Sequence, residues 1–449
     1  MKFEPKVHHH LSIRHLLRHP QAALFAGMGL GKTASTLTAF ATLQALGEVR
    51  AMLVVAPLRV ACLTWPNEIE KWDHTTHFRW ANLRTKDGQQ ALKNGSADIY
   101  LTNYEQLQKM GTTMLPSKAF DLVCFDELTA AKNHNSKRIN AVRKKLPARR
   151  WGLTGTPTPN SPMELFGQIR LLDGGKRLGP AFTMFRDTYF NQMDYMGYTW
   201  EPKPGAEQRI YERIADITLS LPQEEYSGIP APITHDIEIP LPAEAREQYE
   251  ELESKLVLLL KDETEVVAQS AGVLVNKLLQ VTGGAVYRED KTVAVIHDAK
   301  LRAAVKFCRA QVDDNEWPTI VVTHYKHEQE RLLKALPDAR RFDDREGFLA
   351  RWNAGKIPLL VVDPRTLSHG LNMQQGGHHI LWYSVNHSRE QYDQLIGRLA
   401  RPGQKNQVHV TRLLCPGTID DAVVETLRQR ESGQRGLMTT LRNFQRLLS

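Results

Sequence analysis

The chain is poor in cysteine and has no long apolar run. Its 449 residues include four cysteines, Cys62, Cys124, Cys308 and Cys415, all far apart and without the paired spacing of a zinc site or a disulfide framework. That excludes a disulfide-stapled extracellular scaffold and reads as core thiols in a reducing compartment. No apolar stretch approaches the roughly 18 residues that a membrane-spanning helix requires, so a membrane partner is excluded. The opening "MKFEPKVHHHLSIRHLL" carries charges and histidines where a secretory signal would be apolar. The expectation is a cytoplasmic protein, in the host cytoplasm if the chain is viral. Repeats of solenoid period and low-complexity tracts are also missing, which excludes an array. The triplet His8, His9, His10 reads as solvated surface or a tag remnant and is assigned no metal.

What is present suits a soluble globular protein of more than one lobe, with 41% hydrophobic and 24% charged residues. A chain this long exceeds one ordinary core. The formal net charge of +8 permits a polyanionic partner without requiring one. Short runs rich in Val, Ile and Leu ("AALFA", "AMLVVAP", "DIYLTN", "FDLVCFDE", "RRWGLTGTP") alternate with helical patterning, which implies a parallel sheet covered on both faces. After residue 185 neither period holds. Residues 243 to 280 return to a helical pattern and are read as a segment bridging two lobes. A second alternating series then follows ("TIVVTHY", "IPLLVVDP", "HHILWYS", "QVHVTRLL"), closed by helix from Thr418. The resulting division is an N-terminal lobe over 1–185, a connector over 186–290 and a C-terminal lobe over 291–449.

The chemistry begins at "GMGLGKTAST". Glycines here free backbone N–H groups to converge on an anion, and Lys32 with Thr33 opens a helix ending before Gly47. The strict phosphate-loop pattern fails by one residue, because Ala26 stands where its first glycine belongs, and a plain structural turn is the alternative. "FDLVCFDELTAAKN" ends an apolar strand in Asp126 and Glu127, a pair suited to holding Mg²⁺ and polarising water, or simply to capping a helix. Thr154, Gly155 and Thr156 end the next strand, where a Gly-Pro turn is the alternative. Gln394, Arg398 and Arg401, spaced 4 and 3 apart, share one helical face. Such arginines could stabilise γ-phosphate charge, or could be merely solvated.

In this order the segments resemble the superfamily 2, DEAD/DEAH-box-like helicases, in particular Swi/Snf-type DNA translocases and above all their compact phage and bacterial members. "MGLGKT" looks like motif I, "LVVAPLRVACLTWPNEIEKW" like Ia, "LTNYEQL" like Ib, "DELTAAKN" like II and "LTGTPTPNSPMELF" like III. "TIVVTHYKHE" is similar to motif IV, "LSHGLNMQQGGHHILWYSVNHS" to V and "QLIGRLARPGQ" to VI. The resemblance implies an α/β protein with two RecA-like parallel-sheet lobes of the P-loop NTPase fold and a helical or irregular connector. It also implies ATP and Mg²⁺ as cofactors and DNA, duplex and without sequence preference, as partner. Replication or recombination proteins are further possible partners.

By the same resemblance Met28, Gly29, Leu30, Gly31, Lys32, Thr33, Gly370 and Gln394 would bind ATP, and Thr33 with Asp126 would hold the metal. Lys32, Asp126, Glu127, Arg398 and Arg401 would be catalytic, the arginines as fingers from the second lobe. Thr154, Gly155, Thr156 and Asn372 would couple hydrolysis to DNA. The chain departs from the family where Gly27 replaces an acidic residue, where Leu128-Thr129 replaces Ala-His, and where about His9 takes the place of an adenine-reading glutamine. The expected function is ATP-driven movement along DNA or remodelling of DNA and its protein complexes. The alternatives are a strand-separating DNA or RNA helicase, or an ATP-switched clamp or loader with little turnover.

Overall fold

Two parallel sheets organise the chain, each the core of its own compact unit. The computed structural model describes residues 1–448 apart from 111–118, 134–142, 194–199, 227, 261–264, 344, 346 and 368–370. One unit gathers Met1–Met193, Thr199–Gly228 and Arg430–Ser449, and the other takes in Ile229–Gln429.

The strands of the first unit are β1 (Gln21–Ala26), β2 (Met52–Ala56), β3 (Trp80–Asn82), β4 (Ile99–Asn103), β5 (Leu122–Asp126), β6 (Arg149–Thr154), β7 (Phe190–Gln192), β8 (Trp200–Pro202) and β9 (Thr218–Leu221). Seven of them form one sheet in the order β3-β4-β2-β5-β6-β1-β9, while β7 and β8 pair separately. The sheet's pairs run parallel. Successive residues of a strand enter opposite cores. Ala23, Phe25, Leu53, Val55, Val123 and Phe125 belong to one cluster, and Ala22, Leu24, Met52, Val54, Leu122 and Cys124 to the other. The continuous apolar runs seen in the sequence are what burial on two faces demands.

The second unit carries β10 (Ile233–Glu238), β11 (Ala285–Tyr287), β12 (Val293–Val295), β13 (Thr319–Val322), β14 (Ala339–Arg341), β15 (Leu359–Val362), β16 (His379–Trp382) and β17 (His409–Leu414). Its parallel sheet is ordered β10-β17-β16-β13-β15-β14, with a two-stranded β11-β12 ladder beside it. Alternation again splits the strands, with Ile320, Val322, Leu360 and Val362 on one side and Val321, Leu359 and Val361 on the other. Among the described residues no helix is long and apolar enough to cross a membrane.

Three local expectations need correcting. His8, His9 and His10 lie in the helix Val7–Arg18, where only His10 is exposed as expected, while His9 is half-buried and His8 buried. The aperiodic stretch after 185 is more than a connector. Its later part forms the helix Ala206–Ile214 and then β9, which pairs with β1 at the edge of the first sheet. Alternation was invisible there because a four-residue strand is too short to display it. Finally, the helical stretch 243 to 280 is two helices, Ala243–Leu260 and Glu265–Thr282, and both group with the second unit.

Candidate functional site

Strand order decides which motifs meet. In the first sheet β5, β6 and β1 are neighbours, with Asp126 beside Leu153 and Phe25 beside Thr154 in register. The carboxyl ends of three adjacent parallel strands therefore present the glycine loop, the Asp-Glu pair and the Thr-Gly-Thr turn together. That is the edge at which open α/β sheets bind ligands.

The loop leaves β1 at Ala26 and enters the helix Lys32–Ala45 through Gly31. Gly29 and Gly31 both adopt left-handed backbone, at φ 77° and 66°. Gly31 has a second reason to lack a side chain, since a Cβ there would stand 2.3 Å from His9 Nε2. The loop's base is tied to the sheet edge by the Gly27 N–H, which donates to the Leu221 carbonyl at 3.0 Å. A Cβ on Gly27 would lie 2.5–2.8 Å from Gln223. The close passage of that chain is why no acidic side chain can occupy position 27. Met28 and Thr33 are half-buried, Gly29 is exposed and Leu30 is buried. Lys32 Nζ donates to the carbonyls of Ala26 at 2.8 Å and Gly27 at 3.3 Å, so the ammonium lies across the loop mouth.

Asp126 is nearly buried, at 6% exposure. Its Oδ2 accepts the indole N–H of Trp65 at 2.9 Å, and its Oδ1 accepts the Glu127 N–H at 3.0 Å. Burial raises the carboxyl above its ordinary range, while the Trp65 hydrogen bond, the charge of Lys32 and the Glu127 N–H oppose that rise. Glu127 takes left-handed backbone at φ 54° without being glycine. The Tyr104 hydroxyl fastens this turn, donating to the carbonyls of Asp126 at 2.9 Å and Glu127 at 3.2 Å. A non-glycine in this region stores strain that the surroundings must hold.

Thr154 and Thr156 are buried, and the Thr156 N–H donates to Thr154 Oγ1 at 3.1 Å. Gly155 lies against the loop, where a Cβ would be 3.6 Å from both Lys32 Nζ and Met28 Cγ. Gln168 braces the following turn by donating to the Pro157 carbonyl at 2.7 Å.

In the second unit the helix Arg389–Leu399 carries Gln394 and Arg398, both buried, and half-buried Arg401 follows its end. The expected common helical face stops short of Arg401, because the helix ends at Leu399 and Ala400 leaves helical backbone; Arg398 and Arg401 nevertheless both reach the loop that precedes β16. Arg398 Nη1 donates to the Leu371 carbonyl at 3.5 Å and Arg401 Nη1 to the same oxygen at 3.2 Å. Arg401 also bonds the exposed Asn372 side chain and the Gly397 carbonyl, and burial lowers its pKa to about 10. Gln394 donates to Glu390 at 3.4 Å. Gly370 lies outside the described residues.

The structure thus gathers Met28 to Thr33, Asp126, Glu127 and Thr154 to Thr156 in one unit, and Gln394, Arg398, Arg401 and Asn372 in the other. Reading the sequence did not single out Trp65, Tyr104, Gln168 or Gln404, whose Nε2 donates to the carbonyls of Gln374 and Gly377 at 3.0 Å each. The tryptophan-proline pair in "LTWPNEIEKW" was the available signal for the first of these.

The residues fit a phosphate with a divalent cation. Two left-handed glycines and a helix start form an anion cradle, and the buried Asp126 carboxylate stands within reach of the Lys32 charge. The model of the SNF2-related domain matches residues 14–281. Protein p41 of Acyrthosiphon pisum secondary endosymbiont phage 1 is 36% identical across 98% of this chain and 99% of its own length. YwqA of Bacillus subtilis, named for ATP-dependent helicase or translocase activity, is 24% identical across 92% of this chain and 46% of its own. The chain therefore spans nearly all of the phage relative and about half of the Bacillus one. A solved structure, the Sulfolobus solfataricus SWI2/SNF2 ATPase core in complex with dsDNA, is 18% identical over 98% of this chain and 94% of that one, with a TM-score of 0.45.

Proposed function

Because the chain belongs to the SNF2-related domain family of superfamily 2 nucleic-acid-dependent ATPases, we propose that it hydrolyses ATP to move along duplex DNA or to remodel DNA and its protein complexes. The observation that carries this reading is the convergence of the glycine loop, Asp126–Glu127 and Thr154–Thr156 at the carboxyl ends of β1, β5 and β6.

In this reading the loop N–H groups and Lys32 bind the phosphates, and Thr33 with Asp126 would hold Mg²⁺. The cation, when bound, supplies charge neutralisation at the phosphate oxygens. Glu127 orients the attacking water and accepts its proton. Gly155, where even a Cβ would come within 3.6 Å of Lys32 Nζ, lets the Thr154–Thr156 turn respond to the state of the nucleotide. Arg398 and Arg401 supply positive charge to the γ-phosphate during turnover, released for that task from the Leu371 carbonyl and Asn372. Gly370 and Gln394 contribute to nucleotide binding and Asn372 to the DNA side. Retention of Glu127 together with both arginines favours a turning-over enzyme over an ATP-switched clamp.

The net charge of +8 suits a partner recognised through phosphates rather than bases. Replication or recombination proteins remain proposed partners. The deciding assay is the ATPase rate with no nucleic acid, duplex DNA, single-stranded DNA and RNA, alongside triplex displacement and DNA binding at several salt concentrations. Stimulation by duplex, displacement of the third strand and a steep salt slope are the expected results. No stimulation by any nucleic acid would refute the proposal.

A further inference from the structure

The carboxylate assigned to the metal is held by a residue outside the phosphate loop and outside the Asp-Glu turn. Trp65 is fully buried, and its indole N–H is 2.9 Å from Asp126 Oδ2 across 61 residues of sequence. Three contacts divide the work at this carboxylate. Tyr104 fixes the carbonyls of residues 126 and 127, the Glu127 N–H engages Oδ1, and Trp65 engages Oδ2. The backbone is thereby set by one residue and the side-chain rotation by another.

The chemistry of the donor matters. A lysine or arginine at this place would neutralise Asp126 and compete with a cation for it. An indole is a neutral, donor-only group that orients the carboxylate while leaving its charge available. Each carboxylate oxygen keeps a second lone pair after these two hydrogen bonds, enough to receive a metal ion or its water.

The local backbone also serves this contact. Residues Val60–Thr64 form a π turn directly before the helix Trp65–Lys71, in which Pro66 occupies the first turn. A π turn adds one residue to the helical phase, and each residue rotates the helix by about 100°. Trp65 reaches the core at this phase while Leu63, two residues earlier, is 55% exposed. Single π turns concentrate at functional sites.

We propose that Trp65 is a positioning residue for the metal: its indole N–H holds the Asp126 carboxylate in the orientation that receives the divalent cation. This inference rests on the nucleotide-site reading above. Partners behind a metal ligand typically govern about 10-fold to 100-fold in metal affinity.

The test uses the full chain and measures Mn²⁺ binding by electron paramagnetic resonance in the presence of ADP, with ADP affinity in EDTA measured separately. Trp65→Phe keeps an aromatic ring and loses the donor. A second variant carries β-(3-benzothienyl)alanine at position 65, which has the shape of tryptophan with sulfur in place of N–H. Both are expected to bind Mn²⁺ at least about tenfold more weakly, with metal-free ADP affinity within about twofold of wild type. Wild-type Mn²⁺ affinity in the benzothienyl variant overturns the inference, because packing alone then suffices, whatever the phenylalanine variant does. An equal loss of metal-free ADP affinity also overturns it, since the effect would then be a general one on the site. If the unaltered chain binds ADP and no Mn²⁺, the metal assignment itself fails, which is a separable result.

Discussion

Replacing Gly31 by alanine tests the loop geometry at its tightest point. Left-handed backbone costs an alanine about 1–2 kcal/mol, and Gly31 sits at φ 66°. The new Cβ would also overlap His9 Nε2 at 2.3 Å, so the imidazole must move. That ring is packed on His8 and Phe3 at centroid distances of 4.2 and 5.3 Å, and its Nδ1 accepts the Lys6 N–H at 2.9 Å. Breaking this hydrogen bond costs about 0.5–1.5 kcal/mol, which brings the expected total to about 1.5–3.5 kcal/mol. Gly47→Ala is the matched control, because Gly47 has φ 72° and nothing within 4 Å of its Cβ position. It carries the backbone cost alone. The assay is urea unfolding with unchanged slope, comparing midpoints, together with nucleotide affinity. Gly31→Ala is expected to be the more destabilised by about 1 kcal/mol, and only it should weaken nucleotide binding. Adding His9→Ala should remove the excess. Equal destabilisation of the two alanine variants, or normal nucleotide affinity in Gly31→Ala, would refute the reasoning.

Lys32→Ala should abolish ATP binding in a folded protein, since the ammonium crosses the loop mouth; equilibrium dialysis with labelled nucleotide checks this. Glu127→Gln should bind Mg·ATP and hydrolyse it poorly, so a single-turnover rate equal to wild type would assign the base elsewhere. Arg401→Ala should leave ATP affinity nearly intact while lowering DNA-stimulated turnover by roughly 10³ to 10⁵. Near-normal turnover at saturating DNA would confine this arginine to bracing Leu371 and Asn372. Stability should fall as pH drops from about 6.5 towards 4. Burial lowers His9 and His15 to about 4 and, with His378, His409 and His235 nearby, His379 to about 3. These rings are neutral when folded, so their contribution is complete above the unfolded pKa and lost below it. His379→Phe keeps the stack between Trp317 and His409 and should flatten the slope of unfolding midpoints across that range; an unchanged slope would show that His379 does not contribute.

Much of the fold was legible because buried parallel strands must be apolar throughout. "AMLVVAP" and "IPLLVVDP" were readable as strands for that reason, and Gly47 closed its helix where a left-handed residue was needed. The loop glycines were legible too, since they depend on local geometry, whereas the shared helical face expected for 394, 398 and 401 fails because the helix ends at Leu399. β9 escaped notice because four residues hold too little pattern, and the pairing of two helices within 243 to 280 escaped because both carry a helical pattern. The histidine triplet misled, because composition cannot distinguish an exposed imidazole from one packed under a loop.

By itself the sequence determined the elements and their chemistry: which runs are strands, where glycine must relieve the backbone, and which residue types carry charge suited to phosphate and metal. These follow from short-range periodicity and side-chain identity. Only the tertiary structure decided which of them meet. The order β5-β6-β1 sets Asp126 and Thr154 beside the loop, Gln223 forbids a side chain on Gly27, and Trp65 reaches Asp126 from a helix 61 residues away. Such pairings depend on crossovers and strand order, which bring distant residues within hydrogen-bond range and leave no periodic trace in the chain.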